Sequence, residues 1–277
     1  MASGVSSVPQ MPNIKGIENF KGEKIHSGYF KSGKPYQNKN VLVFGTGTSS
    51  HDVCQDLHAN GANVTMVQRS PTMIVNLEPS AQLPYALYQE GPSTDDCDLI
   101  AISSPLSVLK KTHQILTKQS KKLDSELLKK LEKIGFVLDY GEDNTGWQFK
   151  YLTRGGGYYF NVGASNLVAD QKIKLIQFSD IKEFLSDGII HNSKKLKYDS
   201  FVFATGYKGQ EYMVKKFFGD EIANKVGKIW DFDTKKQELN NMFVKTNQQG
   251  LWFIAGSLAQ CRIFSKYLSF QISKELK

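Results

Sequence analysis

Hydrophobic and polar positions follow one another in blocks along this chain, and the sharpest block begins at Val41. The run VLVFG is short, apolar and β-branched, and it ends in a glycine cluster, GTGTSS. Val53, Cys54 and Leu57 then recur at helical spacing until Gly61 stops the pattern. A second apolar run, NVTMVQ at 63–68, follows at once. Strand, tight loop, helix and strand are therefore predicted in succession, which makes a right-handed parallel βαβ unit. The first forty residues differ, because Pro9, Pro12 and Pro35 with scattered Gly and Lys show no period, and they predict an extended connecting segment.

Further along, Ser104 and Pro105 form an N-cap and first-turn pair, and Leu106, Leu109, Leu116, Leu123, Leu127, Leu131 and Ile134 follow at helical spacings. They predict one long helix or two in succession. Strands are predicted at 172–178, 181–185 and 189–191, the last two joined by a hairpin turn at Asp187-Gly188. SFVFATGY reads as another buried strand with a glycine at its end, and LWFIAG at 251–256 as a last strand. A final helix carries Ile263, Tyr267, Phe270 and Ile272.

Composition narrows the class. The chain has 277 residues, 40% hydrophobic and 22% charged, with 17 Phe and 12 Tyr, values that exclude wholesale disorder and allow a sizeable core. The formal net charge of +8 suits anionic partners such as cofactor phosphates. Many lysines fall between Lys110 and Lys133 at spacings of a solvated helix face, without interleaved aromatics or a binding motif, so no nucleic-acid partner is expected. Cys54, Cys97 and Cys261 lack disulfide or metal-ligand spacing, which fits a reducing compartment and no metal. No run approaches the roughly 18 apolar residues of a membrane span, and no signal pattern opens the chain, so a cytoplasmic protein is expected.

GTGTSS carries the chemistry. Gly45, Gly47 and Ser50 occupy the three small positions of the dinucleotide fingerprint, with Thr48 and Ser49 between them. Gly45 permits the tight turn, Gly47 lets backbone approach a pyrophosphate, and the third position sits where helix meets strand. Serine there departs from the usual glycine yet stays small. The N-terminus of the following helix offers unpaired N–H groups and a positive dipole end to phosphate. At the end of the second strand, where an NAD site carries Asp or Glu, stand Gln68, Arg69, Ser70 and Thr72. A guanidinium with adjacent hydroxyls suits a ribose 2′-phosphate, so NADPH is favoured over NADH.

Four stretches together resemble the flavin-containing monooxygenases. Phe20, Gly22, His26 and Phe30 fit that family's long identifying motif, FxGxxxHxxx followed by Tyr or Phe, just ahead of VLVFGTGTSS. FVFATGY, with Thr205 and Gly206, is similar to the family's second ATG turn, and AGSLAQCRIFSKYLSFQI to its closing strand and helix. YLTRGGGYYFNVGASNLV is also similar to the fungal and plant branch related to indole-pyruvate monooxygenases.

The resemblance implies an α/β architecture: a Rossmann-like NADPH-binding domain at 37–206 with a helical insertion at about 80–150, and FAD-domain remnants at 1–36 and 207–277. It implies NADPH and FAD as cofactors and a small organic substrate, oxygenated through a flavin C4a-hydroperoxide. Gly256 and Ser257 would face the flavin, and Thr205 with Gly206 would bring backbone close to the dinucleotides. His26 reads equally as a loop histidine tying the linker to the NADPH domain, and no side chain reads as a general base. No earlier glycine fingerprint holds the ADP half of FAD, so the chain is expected to be the C-terminal portion of such an enzyme. It would work with a separate FAD-binding half or as a homo-oligomer, or else persist as a non-catalytic remnant that binds NADPH only. Apolar surface at Trp252, Phe253, Ile254 and the final helix is expected to be exposed.

Overall fold

The structure, a computed structural model, describes all residues except Val5, Thr234 and Lys277. Its centre is a five-stranded, wholly parallel sheet built from β1 (Glu23–His26), β2 (Asn40–Phe44), β3 (Asn63–Gln68), β6 (Lys174–Gln177) and β10 (Ser200–Phe203), in the order β1-β10-β2-β3-β6. The period of two decides which side chain faces which layer. Val41 and Val43 of β2, Val64 and Met66 of β3 and Val202 of β10 pack under α1 (Thr48–Ala59), α4 (Ser125–Lys133) and α6 (Ala164–Ala169). Leu42, Phe44, Val67, Phe201 and Phe203 turn to the other face. There an antiparallel meander of β7 (Ile181–Leu185), β8 (Gly188–His191) and β9 (Lys194–Lys197) covers them with Phe184 and Ile189. The result is helices, sheet and meander in three layers.

The stretch before Val41 is more than a connector: Glu23–His26 is the edge strand of the main sheet, paired in register with Ser200–Phe203. The cause lies beside it, where Phe20 is fully buried and stacks on Phe201 at 3.7 Å. Gly22 is small because a Cβ there would meet the Phe20 ring at 2.4 Å and the Asp199 carbonyl at 2.6 Å. Phe30 packs against Tyr36. Three of the four signature positions are thus packing devices that fasten the edge strand.

Two short parallel strands, β4 (Met73–Asn76) and β5 (Tyr158–Asn161), form a separate ladder. Between them run a 3₁₀ segment at Ser80–Gln89, then α2 (Thr94–Ser103), α3 (Leu106–Leu123), α4 and α5 (Gly146–Arg154). The leucine period therefore splits into two helices, broken at Asp124, whose carboxylate accepts from the Asn76 backbone and side chain and from Ser80. Pro105 takes the N-cap place and Ser104 closes α2, one residue from the expected positions. The hairpin also shifts by one: Gly188 opens β8, and it is glycine because a Cβ there would meet the Leu196 carbonyl at 1.9 Å.

Residues 251–256 do not form a strand. They are irregular chain, with Ile254 N–H bonded to Met1 and Phe243 N–H to Phe253. The run is apolar because it is core: Phe253 is fully buried with Val214, Val226, Ile229, Met242 and Phe243. Phe253 is accordingly not part of an exposed patch, and Trp252 and Ile254 are half-buried. The helices α7 (Gln210–Val226), kinked at Gly219, and α8 (Leu258–Glu275) do leave Phe217, Leu258 and Phe270 exposed. Arg262 of α8 pairs with Asp98 of α2, and Lys266 with Asp95, joining the helical insertion to the closing helix. Among the described residues no helix is long and apolar enough to cross a membrane.

Candidate functional site

Strand order locates a crevice. From β2 the chain steps outward through β3 to β6, then returns through the meander to β10 on the other side of β2. The order reverses between β2 and β10, and ligands of open parallel sheets bind at the carboxyl ends of the strands flanking such a point. Gly45 ends β2 at this place with φ 124°, a backbone conformation that disfavours any side chain. A Cβ on it would meet the Ala204 carbonyl, just beyond β10, at 2.5 Å. Gly45 is glycine because the two strand ends touch.

Gly47 is glycine for another reason. Its φ is −85°, open to any residue, and a Cβ would meet nothing within 4 Å. It caps α1 without a side-chain hydrogen bond, Thr48 and Ser49 beside it are exposed, and no acceptor among the described residues reaches the N–H groups of Gly47, Thr48 or Ser49. The helix therefore presents free donors and its positive end to open space. Ser50 is fully buried, and its hydroxyl donates to the Gly45 carbonyl at 2.6 Å, while Thr46 and Thr72 share a hydroxyl–hydroxyl bond at 2.6 Å. The loop is tied at three side chains and open at its front.

At the end of β3, Gln68 has a role the sequence does not reveal. It is buried; its amide donates to the Val137 carbonyl at 2.9 Å and accepts from the Val137 N–H at 2.8 Å. It knits β3 to the segment after α4 and is not available to a ribose. Arg69 is exposed and engages no hydrogen bond or ion pair among the described residues. Ser70 beside it is exposed, its carbonyl accepting from Gln68 and Thr72.

On the β10 side, His26 is buried and holds two backbone groups. Its Nε2 bonds the Gly206 carbonyl at 2.9 Å, and its Nδ1 accepts from Gly28 N–H at 3.0 Å, which fixes a neutral ring protonated on Nε2. Burial lowers its pKa despite the Gly206 bond. Thr205 donates its hydroxyl to the Gln10 carbonyl at 2.6 Å, and Gly206, at φ 83°, faces open space. His26 thus joins the edge strand to the turn after β10.

Gly256 and Ser257 lie elsewhere, against the helical insertion. The Ser257 hydroxyl and the Gln260 side chain close a capping box at the start of α8, and Ser257 N–H also bonds the Tyr151 phenol at 2.7 Å. A Cβ on Gly256 would meet Gln260 at 2.4 Å and Tyr151 at 2.9 Å. Tyr151 in turn donates to Gln260 at 2.6 Å, and its carbonyl receives the Trp230 indole N–H. The Ser257 and Gln260 N–H groups of this helix start are thus engaged, whereas no acceptor among the described residues reaches those of Leu258 and Ala259.

His51 was hidden in the sequence. It lies fully buried in the first turn of α1, stacked on Tyr159 at 4.0 Å, with Nδ1 on the Gly47 carbonyl at 3.1 Å and Nε2 without a partner among the described residues. Burial drives its pKa down to about 4, against the opposing pull of the Gly47 and Thr46 carbonyls. An unfolded histidine titrates near 6.5. Below that value the unfolded chain takes up a proton that the folded chain refuses, so this contribution to stability is whole above 6.5 and is lost as pH falls to about 4. His113, also pushed down to about 4 by burial, adds in the same direction. Urea denaturation is expected to show stability about 1 kcal/mol lower per histidine at roughly pH 5.5 than at neutrality, and His51→Asn should flatten part of that slope. A pH-independent midpoint over this window would contradict the assignment. Among the described residues no group of His, Cys, Asp or Glu is arranged to hold a metal.

Comparison with known proteins sets this geometry in context. Residues 1–89 match the family model described as pyridine nucleotide-disulphide oxidoreductase. The chain is 30% identical over 213 residues to the probable indole-3-pyruvate monooxygenase YUCCA7 of Arabidopsis thaliana, covering 75% of this chain and 43% of that protein. To the probable indole-3-pyruvate monooxygenase YUCCA10 of the same plant it is 29% identical over 226 residues, covering 78% of this chain and 52% of the other. The chain thus spans about half the length of the curated relatives it matches. Among solved structures, cyclohexanone monooxygenase in its open form superposes with a TM-score of 0.52 at 15% identity, over 78% of this chain and 49% of that one. The enzyme from Rhodococcus sp. Phi1 bound to NADP+ gives 0.51 at 17% identity, over 78% and 47%. These structures share the fold.

Proposed function

We propose, on the premise that this chain is a relative of the flavin-dependent monooxygenases, that it is the NADPH-binding lobe of such an enzyme, whose substrate is a small organic molecule of the kind named for the plant relatives. The observation that carries this reading is the front of the glycine loop: Gly47 open to space, free N–H groups at the start of α1, and unengaged Arg69 at the neighbouring strand end. The residues fit the cofactor. Gly47, Thr48 and Ser49 would hold the pyrophosphate through backbone N–H groups, Gly45 and Ser50 would keep the turn tight, and Arg69 with Ser70 would receive the 2′-phosphate. Bound NADPH supplies a hydride for reducing flavin. Protein here binds and orients, and Gly206 leaves room for backbone approach on the β10 side.

The flavin side does not fit in the same way. Gly256 lies against Gln260 and Tyr151, and the Ser257 hydroxyl and N–H are engaged by Gln260 and Tyr151. That observation favours a second reading, a chain that binds NADPH without catalysis. The two separate in one experiment on the purified 277-residue chain. NADPH should quench its tryptophan fluorescence saturably and more tightly than NADH does, while the protein shows no visible flavin absorbance and oxidises NADPH at background rate. Adding a flavin-binding domain from a relative restores NADPH oxidation under the first reading and leaves it at background under the second. Absence of any nucleotide binding would sink both.

A further inference from the structure

A phosphate-binding loop works only if its carbonyl oxygens, which repel the anion, are turned away from it. Backbone does part of this, since the His51 N–H donates the first helical hydrogen bond to the Gly47 carbonyl at 3.1 Å, while the Gly45 end of a glycine-rich turn can flip a peptide at little steric cost. In this chain two side chains reach back from the first turn of α1 to the loop carbonyls. Ser50 donates from its hydroxyl to the Gly45 carbonyl at 2.6 Å, and His51 engages the Gly47 carbonyl through Nδ1 at 3.1 Å. Both residues are fully buried, so both bonds lie behind the loop and not at its mouth. His51 is locked in place by the Tyr159 ring, stacked on it at 4.0 Å with the two planes 8° apart. Because Nδ1 meets a carbonyl, it carries the ring proton, and the neutral ring acts here purely as a donor.

We infer that His51 and Ser50 are positioning residues for the pyrophosphate. Ser50 holds the Gly45 carbonyl inward and the His51 ring adds a second donor to the Gly47 carbonyl beside its helical bond, and together they keep the N–H groups of Gly47, Thr48 and Ser49 aimed outward, at the anion. The inference rests on the NADPH-binding reading and adds to it the residues that set its loop geometry. It also explains why serine stands where the fingerprint usually has glycine: the hydroxyl adds a tether that a bare glycine lacks. The same chain shows that a shorter side chain can make the His51 contact, because Asn60 donates to the carbonyl four residues before it, Asp56, at 2.8 Å.

The test compares two ligands that share the adenosine 2′-phosphate but differ in the pyrophosphate: NADP+ and adenosine 2′-monophosphate. In the full 277-residue chain, His51→Leu is expected to raise the Kd for NADP+ about tenfold, the loss of one hydrogen bond, while the Kd for adenosine 2′-monophosphate stays within about twofold. His51→Asn should recover most of the NADP+ affinity. Ser50→Ala, which removes only a hydroxyl, should show the same ligand contrast at about three- to tenfold, and it carries the test should the leucine variant fail to fold. Equal weakening for both ligands, or no weakening in either variant, would overturn the inference while leaving the NADPH-binding reading intact. Failure of the unmutated chain to bind either ligand would instead remove the reading on which it rests.

Discussion

Replacing Arg69 with alanine is expected to weaken NADPH binding by about 1.5–3 kcal/mol, roughly ten- to a hundredfold in Kd, and to leave NADH within about twofold. The asymmetry follows from what stands at the end of β3. Gln68 cannot turn to help, because both ends of its amide are held by Val137. Asp or Glu, which would serve NADH and repel a phosphate, is missing there. What remains is an exposed guanidinium without an ion-pair partner among the described residues, flanked by the exposed Ser70. A bidentate fork on a phosphate is the contact such a group makes best, so Arg69→Lys should recover only part of the loss. Since the site is solvent-facing, added salt should weaken NADPH more than NADH. Isothermal titration of both nucleotides against both proteins measures all of this; equal curves for NADPH and NADH in the unmutated chain would refute it.

The parts of the molecule legible from sequence are those in which local pattern and tertiary environment agree. VLVF, GTGTSS and NVTMVQ read correctly because a central parallel strand is apolar on both faces, and its loop must be glycine-rich whatever surrounds it. The misses share a cause too. Glu23–His26 and Lys194–Lys197 are strands on edges, where solvent-facing charge hides the alternation. LWFIAG is apolar through burial, with backbone partners too scattered to make a sheet, and apolarity alone does not distinguish the two. Site residues divide in the same manner. Gly45 and Gly47 are visible as a motif, whereas the duties of Gln68, His51 and Tyr151 depend on Val137, Tyr159 and Ser257, partners that only folding brings near. The signature residues Phe20 and Gly22 are conspicuous in sequence yet serve packing, and His26 serves two backbone hydrogen bonds.

The two loop glycines should fail in opposite ways when given a side chain. Gly45→Ala places a methyl 2.5 Å from the Ala204 carbonyl, closer than real contacts allow, at φ 124° where L residues are strained. Both β2 and β10 are central strands, so the loop cannot yield without disturbing their pairing through Phe44 and Phe203. A loss of about 2–4 kcal/mol in urea denaturation is expected, with nucleotide binding falling as a consequence of unfolding. At Gly47, by contrast, an added Cβ meets no protein atom within 4 Å and φ is −85°, so for Gly47→Val circular dichroism and the urea midpoint should stay near those of the unmutated chain. Its two methyl groups would fill the space the pyrophosphate needs, and NADPH binding should drop by about a hundredfold or more. The pairing of outcomes matters more than either alone: a stable Gly47→Val protein that binds NADPH as before would place the nucleotide somewhere other than the mouth of this loop. A Gly45→Ala protein as stable as its parent would mean that the β2 and β10 ends are not in the contact that defines the crevice.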